Sequence, residues 1–110
     1  MRTSTAMRLH GKLYQGQDEW DDETSMSVDL ATLTGTLICG RQYGPDQPLA
    51  FTAATWKDDT LTVPALHGTP IASGAASFVV GSDGAVTGEV TLDDRYAGKL
   101  VLRFVGTRLG

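Results

Sequence analysis

The chain has 110 residues, of which 41% are hydrophobic, 7% aromatic and 20% charged, which is one domain's worth of sequence with enough apolar content for a core. Its 13 acidic and 9 basic residues give a net charge of −4, and the basic ones are scattered, so nucleic acid is not an expected partner. No run approaches the roughly 18 apolar residues of a membrane span, and residues 1–10 lack the apolar stretch of a signal peptide, so the expectation is a soluble, cytoplasmic protein without a membrane partner.

In chain order, Met7, Leu9, Gly11 and Leu13 alternate with Arg8, His10, Lys12 and Tyr14. This period of two predicts a half-buried strand. A polar loop is expected from Gln15 to Glu23. Met26, Val28 and Leu30 alternate with Ser25, Ser27 and Asp29. Met26, Leu30 and Leu33 also fit helical spacing with Asp21 or Asp22 as a cap, but the strand is preferred. Leu33, Gly35, Leu37 and Cys39 continue the alternation, and Gly44-Pro45-Asp46 marks a loop over residues 41–48.

A single strand is expected from Leu49 to Trp56, turned by Asp58-Asp59. Leu61, Val63 and Ala65 form a short strand that Pro64 places at an edge or bulge, and His67 to Gly74 reads as a loop. Gly81-Ser82-Asp83-Gly84 joins Ser77–Val80 to Ala85–Leu92 as a hairpin, and Asp93-Asp94-Arg95 turns the chain into a final strand over Lys99–Leu109.

About eight short strands at regular spacing predict an all-β domain over residues 1–110. Four segments share the pattern apolar–x–Gly–polar–apolar: Leu9 to Leu13, Leu33 to Leu37, Val86 to Val90 and Tyr96 to Leu100. Glycine weakens a strand, so its recurrence on the apolar face calls for a reason, and tight curling supplies one. The predicted architecture is a small antiparallel up-and-down barrel, with a β-sandwich as the alternative.

Three of these stretches resemble the avidin group of the calycin-type barrels. Leu9-His10-Gly11-Lys12-Leu13-Tyr14-Gln15 is similar to its first strand, and Leu33-Thr34-Gly35-Thr36-Leu37 to its Leu-Thr-Gly-Thr-aromatic strand. Phe51-Thr52-Ala53-Ala54-Thr55-Trp56-Lys57 is similar to a further strand of that group, with one extra residue before the tryptophan. The resemblance touches less than half of the chain. It implies that Trp56 matches a ligand-stacking tryptophan and that Gln15 stands where the family has a ligand-binding asparagine. Leu37 replaces a ligand-binding tyrosine, and Trp20 and Trp56 are the only 2 tryptophans, so the pocket is not the family's biotin site.

The candidate ligand-binding residues are Trp56, Tyr14, Gln15, Phe51 and Phe104, set among small residues that leave room for a modest cavity. Phe51 and Trp56 are an odd number of residues apart and face one interior only if a bulge intervenes near Ala54-Thr55. Trp20, on the acidic segment Asp18 to Glu23, is the candidate lid or partner anchor. That segment fits no EF-hand spacing, and Cys39, His10 and His67 show no zinc spacing, so neither metal nor cofactor is expected. Cys39 reads as a buried small hydrophobe, and His67 lacks a nucleophile beside it in sequence.

Three functions compete. The preferred one is a barrel that binds a small, mostly apolar molecule. The second is a protein-interaction or assembly module (inhibitor, adaptor or structural subunit), including a homo-oligomer. The third is a barrel enzyme, such as a cyclase or isomerase, that works by substrate shaping.

Overall fold

The computed structural model describes residues 6–109. Residues 1–5, over which part of the signal-peptide reading runs, and residue 110 lie outside them. The described chain forms nine strands: β1 (Ala6–Gln15), β2 (Asp18–Asp29), β3 (Thr34–Cys39), β4 (Leu49–Phe51), β5 (Thr55–Lys57), β6 (Thr60–Val63), β7 (Ile71–Val80), β8 (Ala85–Asp94) and β9 (Gly98–Arg108). No helix among the described residues is long and apolar enough to cross a membrane.

All pairings are antiparallel, and the strands form one sheet in the order β4-β3-β2-β1-β9-β8-β7-β6-β5. The edge strands of that order, β4 and β5, are consecutive in the chain and separated only by residues 52–54. A sheet whose opposite edges lie so close together along the chain must curl, and this one forms a half-barrel. Ala50 and His67 exchange backbone hydrogen bonds of 2.7 and 2.9 Å, tying β4 to the segment that follows β6.

The two-residue period explains the strands. In β1, Met7, Leu9, Gly11 and Leu13 are buried, while Ala6, Arg8, His10 and Lys12 are exposed. The inward faces of the strands join in one core that includes Leu9, Leu13, Leu37, Phe51, Phe78, Val90, Leu102 and Phe104. Phe78 and Phe104 meet edge to face, with ring centroids 5.2 Å apart.

The inward glycines make room for rings. A Cβ on Gly35 would lie 2.8 Å from Phe51 Cζ, and one on Gly88 would lie 2.9 Å from Phe78 Cδ1. The sequence recurrence is therefore a packing device at these positions. It fails at Gly98, which is exposed and has φ +78°, a turn conformation rather than an inward strand position.

Several expectations are corrected. The polar stretch from Gln15 to Glu23 is not a loop: β2 begins at Asp18, and only Gly16 (φ +64°) and Gln17 turn the chain. Pairing with β1 outweighs the loop-like composition there, with Gln15 opposite Asp18 and Leu13 opposite Asp21. The single strand from Leu49 to Trp56 is broken at residues 52–54 into β4 and β5, which makes nine strands rather than about eight. β6 is not an edge, since it pairs with both β5 and β7, and Pro64 lies just past its end. His67 to Gly74 is only partly loop, because β7 starts at Ile71.

Candidate functional site

One end of the sheet gathers the β1–β2 turn, the β3–β4 loop, the segment before β7 and the β8–β9 turn. Its construction starts at β2. The register of β2 against β1 shifts between Gly11 and Leu13 and again between Leu13 and Tyr14. Each shift places an extra residue in β2, and such bulges re-aim side chains. They bring Asp21 and Thr24, three residues apart, to full burial.

The Asp21 carboxylate is a clasp. Its Oδ1 accepts from the Glu23 amide (2.8 Å) and the Thr24 hydroxyl (3.0 Å), and its Oδ2 accepts from the amides of Arg41 (3.0 Å) and Gln42 (2.9 Å). The start of the β3–β4 loop is thereby fixed on β2. Outside the clasp, the Arg41 guanidinium donates through Nε and Nη2 to Asp22 and lies 3.5 Å from Glu23. The Arg41 hydrogen bond holds the Asp22 carboxyl below its usual range. Gln42 donates its side-chain N–H to the Trp20 carbonyl at 2.6 Å.

Tyr43 links this clasp to the β8–β9 turn. Its ring stands edge-on to Trp20 at 5.6 Å, and its hydroxyl donates to Asp94 Oδ2 at 2.5 Å. Asp94 Oδ1 accepts from the amides of Tyr96 and Ala97, both at 2.8 Å, as an Asp at a turn should. Burial, and then the hydrogen bond to Asp94, push the Tyr43 phenol well above its usual value. The Tyr43 hydrogen bond and the turn amides hold Asp94 below its usual range. The two shifts keep the proton on Tyr43, so the pair is a fixed hydrogen-bonded floor rather than an acid–base couple at neutral pH.

Above this floor lies a cleft of about 820 Å³ lined by Gln42, Tyr43, Gln47, Thr69, Pro70 and residues 94–97. Arg95 closes one wall, donating its amide to the Pro70 carbonyl (3.1 Å) and its Nε to the Thr69 carbonyl (2.8 Å). Tyr96 stands at the rim with 97% of its surface exposed. A smaller hollow of about 320 Å³ lies beside Trp20, Asp22 and Arg41.

The residues singled out from the sequence do not assemble into one pocket. Phe51 and Phe104 are buried in the core, and Trp56 is half-buried against it. Trp56 pairs with inward-facing Leu61, so it shares the face of Phe51; the break at residues 52–54 supplies the change of parity that the odd spacing requires. Tyr14 lies on the opposite face of β1, under the Arg103 guanidinium at 5.0 Å, and Gln15 is exposed beside it. Trp20 is partly buried against Tyr43 at the wall behind the cleft. His67 is exposed and engaged through its backbone.

Cys39 is fully buried, and burial, with the Asp21 charge adding, pushes its thiol up to about 12, which leaves no nucleophilic thiolate at neutral pH. No group of three or more metal-ligating side chains is found among the described residues. Sequence reasoning missed Tyr43, Arg95 and Tyr96, and it weighed Asp94, paired with Asp93, for acid–base work but preferred a turn role. The one available signal was Tyr96, a large aromatic in a turn otherwise built of small or polar residues.

No family model matches the chain, and no curated protein and no solved structure matches it; of the barrel expectation the structure bears out a curled, all-β half-barrel sheet.

Proposed function

We propose that the chain is a small-molecule binding module, that its curled sheet works as a barrel completed through the bent segment 49–57, and that its ligand sits in the end cleft. The observation that carries this reading is the cleft of about 820 Å³ over the Tyr43–Asp94 floor, a volume suited to a drug-sized ligand. Its walls are held by hydrogen bonds before any ligand arrives, and such preorganisation favours affinity. The rim is preferred to the interior because the rings of Phe51 and Phe78 stand directly over the glycines of facing strands.

The reading differs from a purely apolar pocket. Gln42, Gln47, Thr69 and Arg95 line the cleft beside Pro70, Ala97 and the two tyrosines, so the ligand is amphipathic. The test is a fragment library screened by amide chemical shifts of the labelled chain. Saturable shifts confined to the amides of residues 42–44, 46–47, 69 and 94–97 are the expected result. Shifts centred on Leu9, Phe78 and Phe104, or none from any fragment, would overturn it.

A second reading as a protein-contact module draws on the near-complete exposure of Tyr96 and on Val79, Val101 and Val105, which are 48%, 58% and 38% exposed. Concentration-dependent mass in sedimentation, lost on replacing those valines by threonine, would favour it.

A further inference from the structure

We infer that the end cleft takes a planar aryl oxyanion, its head received by Arg95 and its ring laid against Tyr96; this rests on the binding-module reading above. The charges in the cleft differ in how far they are already used. Asp94 and Arg95 are the charged residues that line it. Asp94 has both oxygens engaged, Oδ2 by the Tyr43 hydroxyl and Oδ1 by two turn amides. Those donors occupy its acceptor sites and leave it part of the wall, with its negative charge retained.

Arg95 is in the opposite condition. Its Nε is bound to the neutral Thr69 carbonyl and its amide to the Pro70 carbonyl, so the base of the side chain is fixed. Among the described residues no carboxylate pairs with its guanidinium, whereas Arg41 at the same end of the sheet is held by Asp22 and Glu23. A guanidinium anchored through Nε keeps its terminal nitrogens for a planar fork, which matches carboxylate or phosphate oxygens. The net charge of −4 provides no general attraction for anions, so selection rests on this local contact.

Next along the chain stands Tyr96. Its amide is tied to Asp94, yet its side chain is almost wholly exposed beside the cleft. A rim aromatic whose backbone is pinned offers a flat apolar face at little entropic cost. Gln42 and Gln47 supply side-chain amide groups across the cleft for further polar atoms of the ligand. A flat ring with an oxyanion head answers all of these features together.

The test titrates the labelled full chain at pH 7 and fixed salt with phenylacetate, phenyl phosphate and neutral phenylacetamide, each to about 20 mM, a range that detects the millimolar affinities of fragments. The signals followed are the Arg95 Nε–H and the amides of residues 42, 47, 69 and 95–97. The inference expects saturable shifts there with at least one anion and binding at least tenfold weaker for the amide. Which anion binds more tightly tells carboxylate from phosphate. Arg95→Gln should abolish the preference, and Tyr96→Ala should weaken both anions several-fold while keeping it. If phenylacetamide binds the same residues as tightly as the anions, the oxyanion inference fails and the binding-module reading stands. If none of the three shifts these residues, both fail. Should Arg95→Gln disturb the whole spectrum, the comparison of anion with amide on the unaltered chain decides.

Discussion

Removing the Asp21 clasp is the sharpest perturbation available. The carboxylate is fully buried and accepts four hydrogen bonds, two on each oxygen. In Asp21→Ala the Thr24 hydroxyl, itself fully buried, loses its acceptor with no route to water, at about 1–3 kcal/mol. The amides of Glu23, Arg41 and Gln42 are only part-buried, so water recovers some of each loss and leaves about 0.5–1 kcal/mol apiece. The expected cost of Asp21→Ala is about 2.5–6 kcal/mol, a large share of a small domain's roughly 5–15 kcal/mol. Asp21→Asn keeps one carbonyl oxygen for Glu23 and Thr24 but turns an N–H₂ towards the Arg41 and Gln42 amides, and should cost about 2 kcal/mol. Urea unfolding followed by tryptophan fluorescence measures both, and Trp20 is the neighbouring residue. In parallel, amide exchange at residues 41 and 42 should quicken more than exchange in β8 or β9. A loss below about 1 kcal/mol for Asp21→Ala would refute the reasoning.

Three further outcomes are expected. Gly88→Ala should destabilise by about 3 kcal/mol and lower the melting temperature by roughly 12 °C or more, because the new methyl meets the Phe78 ring and the Ser77 carbonyl; calorimetry showing a shift under a few degrees would contradict the packing argument. Asp59→Gly should raise stability by about 0.5–1 kcal/mol in urea melts, since Asp58 and Asp59 have φ of 53° and 60° in the two-residue turn between β5 and β6, where Asp-Gly is preferred. Asp94 is held below its ordinary pKa, so its contribution is complete above the unfolded value of about 3.9 and disappears as pH falls through the depressed folded value. The stability gap between the natural chain and Asp94→Asn should thus be flat above about pH 5 and close below about pH 4; a gap unchanged at pH 2 would exclude this linkage.

Much of the fold was readable because inward and outward residues alternate cleanly in β1, β8 and β9, and because Gly81-Ser82-Asp83-Gly84 carries turn chemistry of its own. β2 was misread at its start because charge reads as solvent exposure. There a carboxylate is buried by donors from a loop 20 and 21 residues away, which composition does not reveal. The odd spacing of Phe51 and Trp56 did foretell an irregularity between them, though not a strand break. The cleft was illegible for a different reason. Its floor joins Tyr43 to Asp94 across 51 residues, and no local pattern in either segment points to the other. Asp94 looked like an ordinary turn residue, and it is one, with its second oxygen given to Tyr43.

The sheet order has a consequence for how the chain comes to be folded. β1 and β9, the first and last strands of the described chain, lie side by side near the middle of the sheet rather than at its margins. During synthesis β1 through β4 can zip into one antiparallel ribbon and β5 through β8 into another, each by short hairpin steps that cost little loop entropy. Until β9 emerges, β1 and β8 each present a bare hydrogen-bonding edge with a row of apolar side chains behind it. β9 then pairs with β8 and β1 at once, sealing both edges over ten residues on one side and six on the other. The nascent chain is therefore most prone to sticking to its neighbours just before β9 emerges, and losing β9 would separate two ribbons rather than trim a margin.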